Sequence, residues 1–113
     1  DEISITYDYF ISELKDGKIK NYQVSPKDFG LSYGNFESIK ALSPQESFEK
    51  VSLAFAGKEG SVQDMIAVNS AAALKLSGIV ESMKDGVELS KSAMNEGLAQ
   101  SKLESYVKMS NNL

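Results

Sequence analysis

The sequence predicts an α+β fold, in which a short strand and a β-hairpin are followed by about four helices. Three observations predict it. The first 24 residues alternate apolar and polar side chains, which is the period of strands with one buried face. The dipeptide Asp16-Gly17 separates two such stretches. From residue 43 onward, apolar residues recur at helical spacing behind serine-capped starts. A chain of 113 residues has the size of one domain.

The strands are predicted at three places. Ile3–Thr6 alternates apolar and polar residues and predicts a first short strand. Tyr9–Lys15 and Lys18–Val24 flank Asp16-Gly17, and Asp-Gly is the pair that best adopts the positive φ angles of a type I′ hairpin turn. The implied pairing sets Leu14 opposite Ile19, Ile11 opposite Tyr22, Tyr9 opposite Val24 and Glu13 opposite Lys20. Apolar residues meet apolar ones and acid meets base, which supports the hairpin.

The segment between the hairpin and residue 43 predicts only short helical turns. Ser25–Asp28 has the cap, the proline and the acid of a helix start, but Gly30 follows too soon for more than one 3₁₀ turn. From Leu31 to Ala41 a glycine and an asparagine favour a loop. The spacing of Phe36, Ile39 and Leu42 allows one short helical turn at most.

Two helices are predicted next. Ser43–Glu46 is a capping box with proline at the first helical position, and Gly57 closes that helix. Ser61 is predicted to cap the second helix, which ends at Gly78. The apolar stripe of the second helix is predicted to contain Met65, Ile66, Asn69, Ala72, Ala73 and Leu76. The short side chains of the alanines at 71–73 should let a neighbouring element approach closely.

Two further helices complete the predicted fold. One runs from about Ser82 to Asn95, with Gly97 past its end, and the last runs from Leu98 to Met109. Their apolar residues are Met83, Val87, Ala93 and Met94 in the first, and Leu103, Tyr106 and Val107 in the second.

Composition excludes several kinds of site within this chain. It has 16 acidic and 12 basic residues, a net charge of -4, and no Arg, His, Cys or Trp. Disulfides, thiolate or imidazole metal sites and His-assisted nucleophilic catalysis are therefore impossible. A negative chain without arginine is a poor nucleic-acid binder, and no apolar run is long enough to span a bilayer. Carboxylate chemistry, carboxylate-bound hard metals and binding surfaces remain.

Three features are candidates for chemistry. Gly57–Gly60 is superficially like a phosphate-binding loop, but it lacks the required spacing and follows no strand, so we interpret it as a helix connection. Asn69 is a polar residue on an apolar helix face, and we interpret it as a buried amide that bridges backbone groups. Asp1 and Glu2 form an acid pair of the kind that could hold magnesium. Taken alone, this pair indicates only a solvated chain start.

Five segments together are more specific than any single motif. They are Asp1-Glu2-Ile3-Ser4, ELKDGKI at 13–19, SPKDFGL at 25–31, NSAAALKLSG at 69–78 and KDGVELSKSAMNEG at 84–97. In order and spacing they resemble the C-terminal part of the anthranilate phosphoribosyltransferase family. That family joins anthranilate to phosphoribosyl pyrophosphate in tryptophan biosynthesis, and its fold is a small helical domain plus a larger α/β domain. The resemblance implies that residues 1–113 are a C-terminal fragment of the α/β domain, with strands in 1–24 and a helical part in 43–113.

The resemblance also implies a metal site. The family's acid pair before the Ile-Ser strand coordinates magnesium ions carried with the pyrophosphate, and it falls on Asp1 and Glu2. No residue of this chain is implied to be catalytic. The family's glycine-rich pyrophosphate loop, His-Gly-Asn segment and anthranilate-contacting arginine do not occur here and would lie upstream. We therefore expect the fragment alone to be inactive, to bind magnesium weakly and to expose apolar surface.

The expected partners follow from the same resemblance. They are phosphoribosyl pyrophosphate and anthranilate, in a cytoplasmic enzyme that forms a homodimer through the helical domain; neither nucleic acid nor a membrane is expected. Two alternatives remain open: a pyrimidine-nucleoside phosphorylase relative with similar architecture, and a non-enzymatic α+β interaction module. The PKDFGL and NSAAAL stretches favour the anthranilate enzyme over the phosphorylase, whereas composition does not exclude the module.

Overall fold

A two-stranded hairpin and five helices make up the computed structural model of the chain, which describes residues 2–113. They are β1 (Tyr9–Lys15), β2 (Lys18–Val24), a 3₁₀ turn (Pro26–Phe29), α1 (Phe36–Ile39), α2 (Pro44–Phe55), α3 (Ser61–Leu76), α4 (Met83–Asn95) and α5 (Leu98–Ser110). The predicted α+β class is confirmed, with the hairpin first and four longer helices after residue 43. No described helix has both the length and the apolar composition that crossing a membrane requires.

The hairpin has the predicted register. β1 and β2 are antiparallel, and the four pairs expected from the sequence are all present, including Glu13 opposite Lys20. Asp16 has φ 51° and Gly17 has φ 73°, so both central residues occupy the left-handed region that a type I′ turn demands. The turn chemistry and the alternation of side chains therefore determine the pairing together.

The prediction of a strand at Ile3–Thr6 is wrong for the described residues. The segment pairs with no strand there, and its backbone groups are bonded elsewhere. The N–H and C=O of Ile3 bond the side chain of Asn69, and the C=O of Ile5 accepts from the N–H of Gly34 at 2.8 Å. Ile5 itself is fully buried. Alternation predicted the burial correctly, but a strand also needs a neighbouring strand, and residues 2–113 provide none at this position.

The serine caps of α2 and α4 agree with the sequence prediction, whereas the Glu46 contact of α2 and the cap of α3 differ from it. The hydroxyls of Ser43 and Ser82 cap α2 and α4 as expected. The carboxylate of Glu46 accepts from the N–H of Leu42 and not from that of Ser43, so the second half of the predicted capping box is wrong. At α3 the cap position belongs to Gly60. Ser61 is the first helical residue, and its hydroxyl accepts from the Asn35 N–H instead.

α3 is the central helix of the core, and its buried face is not the predicted stripe. The buried residues of α3 are Gln63, Ala67, Val68 and Ala71, and α1, α2 and α4 pack around the helix. Within the predicted stripe, Ala73 and Leu76 are exposed. Apolar residues occur around most of the α3 circumference, so periodicity alone could not select the face that the neighbours cover.

The remaining core comes from both ends of the chain. Ile5, Val24, Phe29 and Leu31 join α3 from the hairpin side, while Val87 and Met94 join it from α4. α5 contributes no buried residue. Tyr106 and Val107, predicted on its apolar side, are exposed. The last helix is therefore only lightly attached.

The chain exposes more surface than a closed domain of its length. Its accessible area is 7842 Å², whereas area scaling gives roughly 6,100 Å². Its radius of gyration is 15.1 Å, against about 13 Å for a compact domain. Phe10, Leu14 and Ile19 on the outer face of the hairpin are each at least 69% exposed. The expected exposure of apolar surface is confirmed.

Candidate metal-binding site

Glu2 lines a groove between the hairpin and α3. The groove has a volume of about 1030 Å³ and is lined by side chains that include Glu2, Tyr9, Glu13, Tyr22, Ala72 and Lys75. Glu2 is exposed. Asp1, the other member of the predicted pair, lies outside the described residues. The structure therefore describes one member of the predicted pair, and that residue is exposed.

The residue after Glu2 is held by a two-point contact with α3. The Ile3 N–H donates to Asn69 Oδ1 at 3.0 Å, and Asn69 Nδ2 donates back to the Ile3 carbonyl at 2.9 Å. The other proton of Asn69 Nδ2 is directed to the carbonyl of Met65 at 2.9 Å. The interpretation of Asn69 as an amide that bridges backbone groups is confirmed, but the side chain is half-buried and not fully buried as expected. Its side chain takes the place of the neighbouring strand that Ile3 lacks within residues 2–113.

A charged cluster joins the hairpin to α3 inside the groove. The Tyr22 hydroxyl donates to Glu13 Oε2 at 2.8 Å, and Lys75 Nζ lies 3.3 Å from the same oxygen. These two contacts, the tyrosine first, lower the pKa of Glu13 below its ordinary value. Lys20, the cross-strand neighbour of Glu13, instead lies over the Tyr22 ring, 5.5 Å from its centroid. Glu13, which the sequence pairs with Lys20 within the hairpin, thus connects the hairpin to α3.

Tyr9 lies on the inner side of β1 and has an unusual hydroxyl. The oxygen is buried and has no hydrogen-bond partner among the described residues. Burial, with the negative charge of Asp28 as a second cause, raises the pKa of Tyr9 to about 12. The phenol remains neutral over the physiological range, so it lines the groove as a packing residue.

The two carboxylates at the chain start are of the kind that can supply the protein's share of the ligands in a magnesium site. Mg²⁺ retains several waters and takes one or two protein carboxylates together with substrate phosphate oxygens, so Asp1 and Glu2 are a sufficient protein contribution. Residues 2–113 contain no group of three acids close enough to hold a metal ion by themselves. A metal at Glu2 would therefore depend on oxygens from a ligand.

Other sequence candidates have structural roles. Gly57–Gly60 connects α2 to α3, as predicted. Sequence reasoning missed Gln63, a buried amide whose Nε2 donates to the Ala54 carbonyl and to Asn95 Oδ1, and the ion pair between Lys75 and Glu13. Gln63, Ala67 and Ala71 follow one another at intervals of four residues, and this spacing was the sequence pattern that could have indicated the buried face of α3.

The chain matches one protein-family model over most of its length. The model describes the glycosyl transferase family, a/b domain, and it matches residues 1–100. The match covers the hairpin, α2, α3 and α4 and ends at the start of α5.

The curated relatives share one enzyme name. An anthranilate phosphoribosyltransferase of Vesicomyosocius okutanii is 38% identical over 110 residues, which are 97% of this chain and 32% of the relative. One from Neisseria meningitidis serogroup C is 39% identical over 108 residues, 95% of this chain and 31% of the relative. The chain thus spans about a third of the length of these relatives.

Solved structures with the same name share the fold. The enzyme from Thermus thermophilus superposes with a TM-score of 0.85 at 27% identity, over 96% of this chain and 32% of that one. The enzyme of Saccharomyces cerevisiae in complex with 4-fluoroanthranilate has a TM-score of 0.84 at 23% identity, over 100% and 33% of the two chains. A variant of the latter enzyme is described with Mg bound.

Proposed function

Because this chain belongs to the glycosyl transferase family through its a/b domain, we propose that it works as part of an anthranilate phosphoribosyltransferase. The observation that carries the proposal is the 38–39% identity to enzymes of that name over 95–97% of the chain. Those relatives do not favour a pyrimidine-nucleoside phosphorylase or a non-enzymatic module. The reaction joins the anthranilate amine to the ribose anomeric carbon and releases pyrophosphate.

In this proposal the chain contributes the metal ligands. Asp1 and Glu2 would hold magnesium, which supplies charge stabilisation for the departing pyrophosphate. The exposed position of Glu2 and the carboxylate chemistry of the pair support this assignment, as does the relative described with Mg bound. None of the 113 residues has to act as a nucleophile, because the attacking group is the amine of the substrate.

The other groups of the site belong to parts of the relatives that this chain does not span. We propose that residues 1–113 act as the C-terminal part of the α/β domain, with the strand-forming segment in 1–24 and a helical scaffold in 43–113. Pyrophosphate recognition and the anthranilate pocket would come from the upstream part. A homodimer through a separate helical domain and a cytoplasmic location complete the proposal.

A segment exchange tests the proposed function. The 108 matching residues of the Neisseria meningitidis relative are replaced by this chain, and formation of phosphoribosyl anthranilate is followed by fluorescence. We expect a folded, active hybrid enzyme. A folded hybrid without this activity would contradict the proposal.

A pair of variants identifies the contribution of the acid pair. In the hybrid, Glu2→Gln should lower kcat about 100-fold because charge stabilisation in the transition state is lost, while the melting temperature stays unchanged. Glu59→Gln is the matched control, since Glu59 is an exposed acid in the loop between α2 and α3. Equal kinetics for the two variants would remove Glu2 from the site.

A further inference from the structure

We propose that Asn69 is a positioning residue for the metal-binding acid pair, an inference that rests on the function proposed above. Asn69 acts on the pair indirectly, through the backbone. Its amide binds both backbone groups of Ile3, the residue that directly follows Glu2. Through Ile3 it fixes the backbone position from which Glu2 extends.

The hydrogen bonds of Asn69 suit a positioning role because they use the oxygen of its side-chain amide and both N–H protons, which restricts rotation of that amide. A side-chain amide has one acceptor oxygen and two donor protons. The oxygen accepts from the Ile3 N–H, one donor proton goes to the Ile3 carbonyl, and the other goes to Met65 one turn earlier in α3. The third contact locks the amide plane to the helix, so the two contacts with Ile3 hold the segment in a single orientation.

The segment Ile3–Thr6 is held to other parts of the fold by backbone hydrogen bonds at Ile3 and at Ile5. No strand pairs with Ile3–Thr6 in the described residues, and the next backbone anchor is the Ile5 carbonyl, which accepts from Gly34. Groups that hydrogen-bond a metal ligand without touching the ion typically change metal affinity 10–100-fold when they are removed, and Asn69, which bonds the residue next to Glu2, should act at the lower end of that range. Loss of the Asn69 amide should therefore act on the metal although the ion and the amide do not touch.

A simpler alternative is that Asn69 only stabilises the fold, and α3 supplies a matched control for it. Gln63 is a second side-chain amide on α3 that bonds to a backbone carbonyl, that of Ala54; it is fully buried, whereas Asn69 is half-buried. The partners of its Nε2 lie in α2 and α4, away from the chain start. Truncation of either amide should lower the melting temperature, but only truncation of Asn69 should weaken metal binding at the chain start.

The test titrates Mn²⁺ alone into the ¹⁵N-labelled 113-residue chain and follows paramagnetic broadening of the Ile3 amide signal. The parent chain, Glu2→Gln, Asn69→Ala and Gln63→Ala are compared at a temperature where all four are folded. We expect the apparent Mn²⁺ affinity at the chain start to fall about tenfold or more in Asn69→Ala and to stay close to that of the parent in Gln63→Ala. If Asn69→Ala does not fold, Asn69→Ser, which retains a polar group, takes its place.

The outcomes separate the two levels of the proposal. If Glu2→Gln leaves the broadening unchanged, the proposed metal site is wrong. If Glu2→Gln abolishes it and Asn69→Ala does not weaken it, only the positioning role is wrong. Equal loss in the Asn69 and Gln63 variants would also overturn that role. A second measurement needs no variants. If the Ile3–Asn69 contact favours metal binding, metal binding must favour that contact to the same extent. Saturating Mg²⁺ should therefore slow hydrogen exchange of the Ile3 amide in the parent chain.

Discussion

Gly86 of α4 faces Ala71 of α3 at a distance that leaves no room for a side chain. A β-carbon added to Gly86 would lie 2.7 Å from the Ala71 Cβ and 2.8 Å from its Cα. Ala71 is fully buried. The two helices therefore meet almost backbone to backbone, which is the close approach that the run of alanines predicted.

Gly86→Ala should destabilise the chain by about 1–3 kcal/mol, the usual cost of overpacking a core. The clash involves backbone atoms of Ala71, so a change of rotamer cannot relieve it and α4 has to move. In an exposed helix the same change would stabilise by about 1 kcal/mol, so the sign of the effect is informative. Urea denaturation measures it. Glu88→Ala, at an exposed position of α4, is the control and should stay within about 0.5 kcal/mol of the parent. A Gly86→Ala variant as stable as the parent would contradict the close packing.

The charged cluster predicts how stability depends on pH. The pKa of Glu13 in the folded chain lies below its ordinary value of 4.5 because Tyr22 and Lys75 favour the ionised form. The contribution of these two contacts to folding stability is therefore fully present above the ordinary pKa of 4.5. It is lost as the pH falls through the lower pKa that Glu13 has in the folded chain. Tyr22→Phe and Lys75→Met should each raise the Glu13 pKa towards its ordinary value, since the tyrosine supplies the largest single cause and the lysine supplies both a hydrogen bond and a charge. An NMR titration of the Glu13 carboxyl carbon measures both shifts, and an unchanged pKa in Tyr22→Phe would refute the assignment.

These features show which parts of the molecule local sequence can predict. The hairpin register follows from Asp16-Gly17 and from alternation, which are properties of adjacent residues. The partner of Glu13 is 62 residues away at Lys75, so no local pattern contains it. The extended segment at Ile3 was predicted as a strand because alternation reports burial, whereas strand pairing depends on a neighbour elsewhere. Asn69 was the polar exception on the predicted apolar face of its helix, and that exception indicated the contact that takes the neighbour's place.

The hydroxyl of Tyr9 predicts an effect opposite to that of Tyr22. A buried hydroxyl without a partner costs free energy, so Tyr9→Phe should leave the melting temperature unchanged or raise it, while Tyr22→Phe lowers it. The pKa of Tyr9 is about 12 in the folded chain, against 10.0 ordinarily. The stability that depends on the neutral phenol is therefore fully present below the ordinary pKa, and it is lost as the pH rises through the pKa of the folded chain. Thermal melts at neutral and alkaline pH test this. If Tyr9→Phe lowers the melting temperature as much as Tyr22→Phe does, the Tyr9 hydroxyl has a partner.

Magnesium binding by the 113-residue chain should be weak. Asp1 and Glu2 can supply only part of the octahedral ligand set that Mg²⁺ prefers, and residues 2–113 offer no cluster of three acids to complete a site. We expect dissociation constants of millimolar or weaker, which corresponds to about 4 kcal/mol or less. Isothermal calorimetry with magnesium chloride measures the affinity, and Glu2→Gln is the control. Micromolar binding that Glu2→Gln removes would mean that the chain completes a metal site without substrate oxygens.

The chain by itself should not catalyse phosphoribosyl transfer. Phosphoribosyl pyrophosphate is a polyanion, and its recognition needs cationic groups, backbone N–H groups and metal that converge on it. The sequence contains no arginine. The groove beside Glu2 is lined by more acids than lysines, and one of its lysines, Lys75, is already paired with Glu13. Alignment of the amine with the anomeric carbon is worth about 7–11 kcal/mol in a rigid site, and an open groove with a net acidic lining does not provide it.

A fluorescence assay with purified chain, both substrates and excess magnesium measures this expectation directly. The rate should equal that of buffer at every chain concentration. Addition of the separately produced upstream two thirds of the Neisseria meningitidis relative should then generate activity, since the exposed faces of the hairpin and of α5 are available for association. The activity should saturate with added chain and disappear with Glu2→Gln, because the acid pair is supplied by this chain. A rate that scales with the chain alone and is lost in Glu2→Gln would place a complete active site within these 113 residues, and the division of the site between two segments would then be wrong.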